Sequence, residues 1–539
     1  MKAATRAERR DDEPGRSHAT TPPEDALAGH GWTRADAVVA AAVGAAVIAV
    51  AVLWRTEIVT SDPWNYVRAG RDFPTDTWNA LGYSRYGMVL PIVPLSFLFG
   101  DVQLTYYFWP ILAAGTLASS LYLLGARWWG KVAAFTAVGL FLSNWVVFIN
   151  LSSYYPDLFG AALVVLGLVV AVSARGRMLT GGRGVLPLLL ATGFLLGWSV
   201  EAKETSLFLW FPVVIVLLVK GRVLRTALVV ALPVLGWAAV DILISAVAHD
   251  DWLLKLHTFS RQDLAQATIQ SDIDVLGDFV GRPRMFYLTY IPRTLMNPET
   301  MLPGRMWILA TGVVALIGLF FWRSRHRALL LMASSFLASY LLFVGISGMF
   351  LPGRPAGRID LMRYWLPFVP LMTLAAAGVI ATVARRLPRP ASVIAAAGLG
   401  ALLVLGAALG TQSDVRQNPL FVGNGGGALG EVRTVLAAEP ASDASVWTDA
   451  RTVRILPVYQ RGPLGGDKEW QFTPRIITAK GAEPVPGDYV LLADPLRAPC
   501  RFCVSALSSW REQNPTIPPT WTPIHVTKNG GMTLYRIGG

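Results

Sequence analysis

The sequence predicts a polytopic α-helical membrane protein of about eleven transmembrane helices, followed by a small C-terminal soluble α/β domain. Three observations lead there. Of 539 residues, 53% are hydrophobic and only 15% charged, whereas a soluble chain carries about a quarter charged residues. Apolar runs of about 18 residues or more recur along most of the chain. After residue 411 the recurrence stops and a Gly-rich stretch leads into short strand-like and helix-like segments. The net charge of +12 does not point to nucleic acid, because the basic residues cluster in short loops between apolar runs.

Residues 1–34, rich in charge, Pro and Thr, read as a disordered polar tail, with the first span as an uncleaved anchor. Apolar spans are expected at about 35–54, 103–125, 132–150, 157–174, 185–200, 205–219, 226–248, 306–322, 328–348, 364–384 and 391–411. The segment "RYGMVLPIVPLSFLFG", 85–100, is apolar but short and interrupted by Pro91 and Pro94, so it reads as interfacial. With that choice, loops holding Arg127, Lys131, Arg175, Arg177, Arg183, Lys220, Arg222, Arg225, Arg323, Arg325, Arg327, Arg385, Arg386 and Arg389 fall on one side. None of those loops holds an acid, and the basic N-terminal tail joins the same side, which the positive-inside rule makes cytoplasmic. The longer, more acidic loops are then extracytoplasmic in a plasma-membrane protein, as is the tail from 412 to 539.

In that tail "ASVWTD", "DYVLLAD" and "MTLYRI" read as strands, and "GALGEVRTVLAAE" and "CVSALSSWREQ" as helices. "GNGGG" lacks the preceding strand and the Lys of a phosphate-cradling loop and reads as a linker. Cys500 and Cys503 have no second ligand pair, which excludes a structural zinc site and leaves a local disulfide, two thiols or a redox pair.

Four polar clusters from distant parts of the chain share the outer side. The first loop, 55–102, holds Asp62, Tyr66, Arg68 and Arg85. "NLSSYYPDLFG" places Asp157 at the mouth of a span, where it would also suit a helix start. "WSVEAKETSLF" packs Glu201, Lys203 and Glu204 into a tight turn. "GRIDLMRYWLPFVP" offers Arg358, Asp360, Arg363 and Tyr364 before a late span, a pairing that also suits a headgroup-depth anchor. Asp241 lies inside an apolar run, as a functional acid or as the partner of a basic group near the outer face. Carboxylates and cations gathered at a membrane surface suit a lipid-phosphate substrate. Cations hold the phosphate and stabilise it as it leaves, and one carboxylate takes the proton of an acceptor hydroxyl.

The order of these motifs resembles the GT-C glycosyltransferases, more narrowly the protein O-mannosyltransferase and lipid A aminoarabinose transferase superfamily. Asp62 and Tyr66 match the first-loop acidic motif, with Pro63 in place of a second acid. Arg85 opens and Phe99-Gly100 closes the interfacial segment, while Asp157, Lys203 and Arg363-Tyr364 match the later motifs. The matches span roughly 60–205 and 355–384. The resemblance implies a transmembrane catalytic domain over 35–411 and an inverting hexosyl- or pentosyltransferase, mannosyl- or arabinosyltransferase activity among them. It implies a polyprenyl-phosphate sugar donor and a glycan, lipid or protein acceptor of the cell envelope. Asp62 and Asp157 are the implied catalytic residues, and Arg85, Lys203 and Arg363 the phosphate contacts. Tyr66, Glu204, Tyr364, Arg358 and Asp241 support them. No cofactor is required, and without a second acid after Asp62 a divalent metal is not implied. A transporter or lipid flippase, and a scaffold presenting the outer domain, are the alternatives from other classes.

Overall fold

The structure, a computed structural model, describes residues 27–28, 31–58, 62–74, 85–255, 257, 279–297, 303–323, 326–350, 352, 359, 362–388, 390–417, 427–440, 443–478, 483–494, 507–528 and 530–538. Residues 1–26, most of the Gly-rich linker, Arg358, Cys500 and Cys503 lie outside the described residues.

Eight described helices are long and apolar enough to cross a membrane: Arg34–Leu53, Gln103–Trp129, Pro156–Thr180, Val185–Ala202, Val223–His249, Arg327–Met349, Met362–Ala384 and Ala391–Ser413. Three expected spans form shorter apolar helices, Lys131–Leu142, Glu204–Leu217 and Gly304–Phe320. The first is cut where Asn144 caps a new turn, its side chain accepting from the Val146 N–H at 3.0 Å. The second begins as a 3-10 helix over Glu204–Leu209. The protein is thus membrane-embedded and mostly helical.

Helix α1 (Arg34–Leu53) starts at a reciprocal cap between Thr33 and Asp36. Between α1 and the helix Gln103–Trp129, the first loop carries three short helices: α2 (Asp62–Arg71), α3 (Tyr86–Val89) and α4 (Ile92–Phe99). The break falls at Leu90-Pro91, and α4, at eight residues and about 12 Å, is far too short to span. It leaves Phe97, Leu98 and Phe99 exposed while α2 packs against Ile92. The first loop is tied down by remote residues. Tyr154 donates to the Met88 carbonyl (2.6 Å), Trp198 to Gly87 (2.8 Å) and Trp109 to Pro91 (2.8 Å). Thr56 donates its N–H to Ser152 (2.9 Å) and accepts from the Tyr107 hydroxyl (2.6 Å).

The C-terminal part is a five-stranded mixed sheet. Its strands are β1 (Ser445–Thr448), β4 (Thr473–Ile476), β5 (Tyr489–Ala493), β6 (Trp521–Val526) and β7 (Met532–Ile537) in the order β4-β1-β5-β7-β6. Strands β4, β1 and β5 run parallel, while β5, β7 and β6 pair antiparallel. The short strands β2 (Arg461–Gly462) and β3 (Gly465–Lys468) form a separate hairpin. Alternate sheet residues face opposite ways, as strand geometry requires. Val446, Tyr489, Leu491 and Leu534 join the core that runs on into the helical bundle, while Trp447, Val490, Leu492 and Ile537 pack on Leu507 and Trp510.

Candidate active site

The site assembles where the first loop, the 150–157 segment, the 201–204 turn and the 362–368 segment meet. Asp62 opens α2, whose carboxylate position at a helix start is favourable. Its Oδ2 accepts from Arg363 Nη2 at 3.0 Å, across 301 residues of sequence. The Arg363 guanidinium also lies 4.5 Å over the Tyr155 ring and 5.2 Å from that of Tyr364. Asp157 falls within the electrostatic reach of the same guanidinium.

Asp157 sits in the first turn of Pro156–Thr180 with 1% of its surface exposed. Neither of its carboxylate oxygens makes a hydrogen bond to a described residue. Its nearest cation is Lys203, with Nζ 3.9 Å away, which is beyond hydrogen-bond range. Lys203 is itself 5% exposed and lies 4.5 Å over the Tyr364 ring. A buried carboxylate and a buried ammonium that face each other without a hydrogen bond keep donor and acceptor capacity for a ligand.

Arg85 precedes α3 with 7% exposure. It donates to the Tyr66 hydroxyl and meets Glu204 side-on, Nε to Oε1 at 3.5 Å and Nη2 to Oε2 at 3.4 Å. Burial pushes the Tyr66 phenol well above its ordinary range, so it stays a neutral acceptor. The structure therefore brings Asp62, Tyr66, Arg85, Asp157, Lys203, Glu204, Arg363 and Tyr364 together. Asp241 is set back from them, with Lys255 Nζ 4.0 Å from its Oδ1. Of the two expectations for Asp241, the pairing with a basic group is the arrangement observed. Arg358 lies outside the described residues.

Two residues escaped sequence reasoning: Tyr155 under Arg363, and Lys255, whose ammonium lies 2.5 Å from Glu201. Lys255 is the first cation after the run that holds Asp241, and that spacing is a usable signal. Among the described residues no group of three or more His, Cys, Asp or Glu side chains is arranged to hold a metal ion.

Behind Tyr364 the wall turns apolar. Thr205, Phe208, Ser339, Phe343 and Phe368 line a crevice with it. Phe368 also borders a cavity of about 260 Å³ walled by Ile291, Leu309, Phe336 and Met372. One face of the site is thus ionic and the adjoining one is lipid-like.

No protein-family model and no curated protein matches the chain. Among solved structures, it is similar to ArnT from Cupriavidus metallidurans bound to undecaprenyl phosphate. The TM-score is 0.52 at 13% identity, over 94% of this chain and 98% of that one. A weaker likeness, TM-score 0.42 at 13% identity, is to the oligosaccharyltransferase AglB from Archaeoglobus fulgidus in complex with an inhibitory peptide and a dolichol-phosphate. It covers 94% of this chain and 74% of that one. At such identities the likeness is one of fold, and the fold is the GT-C architecture implied by the sequence resemblance.

Proposed function

We propose that the protein is an inverting glycosyltransferase that moves a monosaccharide from a polyprenyl-phosphate carrier to a hydroxyl of a cell-envelope acceptor. The observation that carries this reading is the convergence of Asp62, Asp157, Arg85, Lys203 and Arg363 beside an apolar crevice. The ArnT structure of the same fold holds undecaprenyl phosphate, which favours a polyprenyl-phosphate donor for this chain also. The basic loops on the opposite face favour an extracytoplasmic site with the N-terminus in the cytoplasm.

In the proposed reaction the acceptor oxygen attacks the anomeric carbon from the side opposite the phosphate. Its proton passes to the Asp62 carboxylate, which Arg363 orients. The bond from the anomeric carbon to the phosphate oxygen breaks, and its electron pair leaves with the polyprenyl phosphate. The donor phosphodiester carries one negative charge and the departing monoester two. Cations therefore stabilise the leaving state more than the bound substrate. Arg85, Lys203 and Arg363 are the contacts assigned to it, and Asp157 orients the acceptor or shares the base role. The polyprenyl tail is assigned to the apolar wall behind Tyr364, toward the cavity of about 260 Å³ that Phe368 borders.

The test is sugar transfer in vitro from polyprenyl-phosphate donors, hexosyl and pentosyl, by purified wild type, Asp62→Asn and Asp157→Asn. Loss of a positioned base lowers turnover by about 10²–10⁴-fold. Full activity in both variants would refute the site. A wild type that transfers no sugar yet moves lipid between leaflets would refute the class.

A further inference from the structure

Asp241 lies within a membrane-spanning helix, where an acid is costly, and the proposed chemistry does not use it. Its surroundings form a second ionic cluster behind the site. Lys255 Nζ sits 2.5 Å from Glu201 Oε2 and 4.0 Å from Asp241 Oδ1, with the two carboxylate side chains 8% and 10% exposed. Tyr86 and Ser245 bring buried hydroxyls that face each other beside it. Tyr86 follows Arg85 directly, and Glu201 precedes Lys203 and Glu204 by two and three residues.

The turn between them is an abrupt break. The helix Val185–Ala202 ends, Lys203 is extended at φ −156° and ψ 118°, and a 3-10 helix begins at Glu204. No hydrogen bond between described residues holds the Lys203 ammonium, so its place depends on this backbone together with the Asp157 carboxylate at 3.9 Å and the Tyr364 ring at 4.5 Å. Two contacts fix the turn from outside. Gly87 of α3 lies so close that a Cβ there would meet the Ala202 nitrogen at 2.4 Å. On the other side is Lys255.

We infer that Lys255, held by Asp241 and Glu201, is a positioning residue that sets the 201–204 turn and so aims Lys203 at the donor phosphate and keeps Glu204 on Arg85. The inference rests on the phosphate-contact reading above. Without Lys255, Glu201 and Asp241 are buried acids within reach of each other and of Glu204. Such uncompensated charge is strongly unfavourable. The nearest relief for Glu201 is rotation of the turn toward Arg85 or Lys203, which removes a cation from the phosphate.

The experiment uses the full-length protein in detergent and four variants, Lys255→Met, Lys203→Ala, the double variant of these and Asp241→Asn. Two readouts are taken: affinity for decaprenyl phosphate, and reactivity of Lys203 toward an amine-directed reagent, read by mass spectrometry. In Lys255→Met, Lys203 reactivity should rise several-fold and affinity fall about tenfold, the scale of a small misplacement. In the double variant, affinity should be no lower than in Lys203→Ala. If Lys203 reactivity and affinity both match wild type in Lys255→Met, the clamp is refuted. It is equally refuted if the two affinity losses add, or if only the thermal unfolding midpoint falls. If wild type binds no decaprenyl phosphate while Lys203 reactivity still rises, the function reading fails and the clamp stands. Asp241→Asn should reproduce the direction of Lys255→Met in both readouts, and a wild-type response from it refutes the role of Asp241.

Discussion

Arg363 shows why the kind of cation matters at this site and not only its charge. It donates to Asp62 at 3.0 Å while its plane lies 4.5 Å from the Tyr155 ring centre. A planar guanidinium can do both at once, whereas an ammonium offers a point charge on a flexible stem. Arg363→Lys should therefore lower kcat/KM by about 10-fold or more, although the charge is kept, since 1.4 kcal/mol of lost stabilisation is a factor of ten. Steady-state kinetics with a polyprenyl-phosphate sugar would show a near-normal value if charge alone counts. Tyr66→Phe tests the other side. It removes the hydroxyl that accepts from buried Arg85, leaving a charged donor short of a partner at a cost of about 1–3 kcal/mol. The variant should bind donor several-fold more weakly with its helix content unchanged by circular dichroism. At this scale the sequence was partly legible. Asp62, Asp157, Lys203 and Arg363 stand out because charge is scarce in so apolar a chain. Tyr155 and Lys255 did not, because an aromatic beside a span and a cation in a loop are ordinary, and their partners are 208 and 54 residues away.

Elements were easier to read than pairings, because a span is a local property and a contact is not. Every expected apolar run is helical, but the continuous apolar character of 132–150 concealed the break at Asn144. The edge strands were concealed by proline. β4 contains Pro474 and β6 contains Pro523, and a proline weakens the reading of a run as strand because it cannot donate to a ladder. The sheet order explains how both are accommodated, since β4 and β6 are its two edges. Short apolar α3 and α4 were legible as too short to span from their length and prolines. Their close approach to the 201–204 turn was not, because it depends on one missing side chain. Gly87→Ala tests that approach. A Cβ at 2.4 Å from the Ala202 nitrogen and 2.6 Å from the Glu201 carbonyl carbon meets backbone, which cannot rotate away. Overpacking of this kind costs about 1–3 kcal/mol. The variant should show a lower unfolding midpoint and a loss of transfer greater than that of Gly100→Ala. Gly100 has open space around it, and its φ of +69° makes it a control for backbone strain alone.

Across the whole molecule, the sheet domain is seated on the first loop that carries Asp62. Glu57, five residues before Asp62, accepts from the Leu429 N–H at 2.6 Å, at the start of the helix Gly427–Ala438. Gly427, at φ +61°, presses on the Glu57 side chain, and Leu104 donates to the Pro463 carbonyl at 3.0 Å on the other flank. The two parts share one core, so the sheet domain and the loop that bears Asp62 are mechanically continuous. Burial raises the Glu57 carboxyl to about 7, with the Leu429 N–H opposing and nearby Glu431 adding to the rise. Tyr107, Tyr459 and Arg55 are the other ionisable groups around it. The ordinary value is 4.5, so the docked state binds the proton more tightly than the undocked one. Docking is then fully supported below about pH 4.5, weakens as pH rises through the interval to about 7, and gains no further penalty from Glu57 above it. Glu57→Gln keeps an acceptor for Leu429 and removes the titration. Hydrogen–deuterium exchange of 427–438 should speed up from pH 5.5 to pH 8 more in wild type than in Glu57→Gln, once both are corrected for intrinsic exchange. Equal acceleration in the two proteins would place the pH response elsewhere. An unchanged wild type would mean that the Leu429 hydrogen bond holds Glu57 ionised throughout.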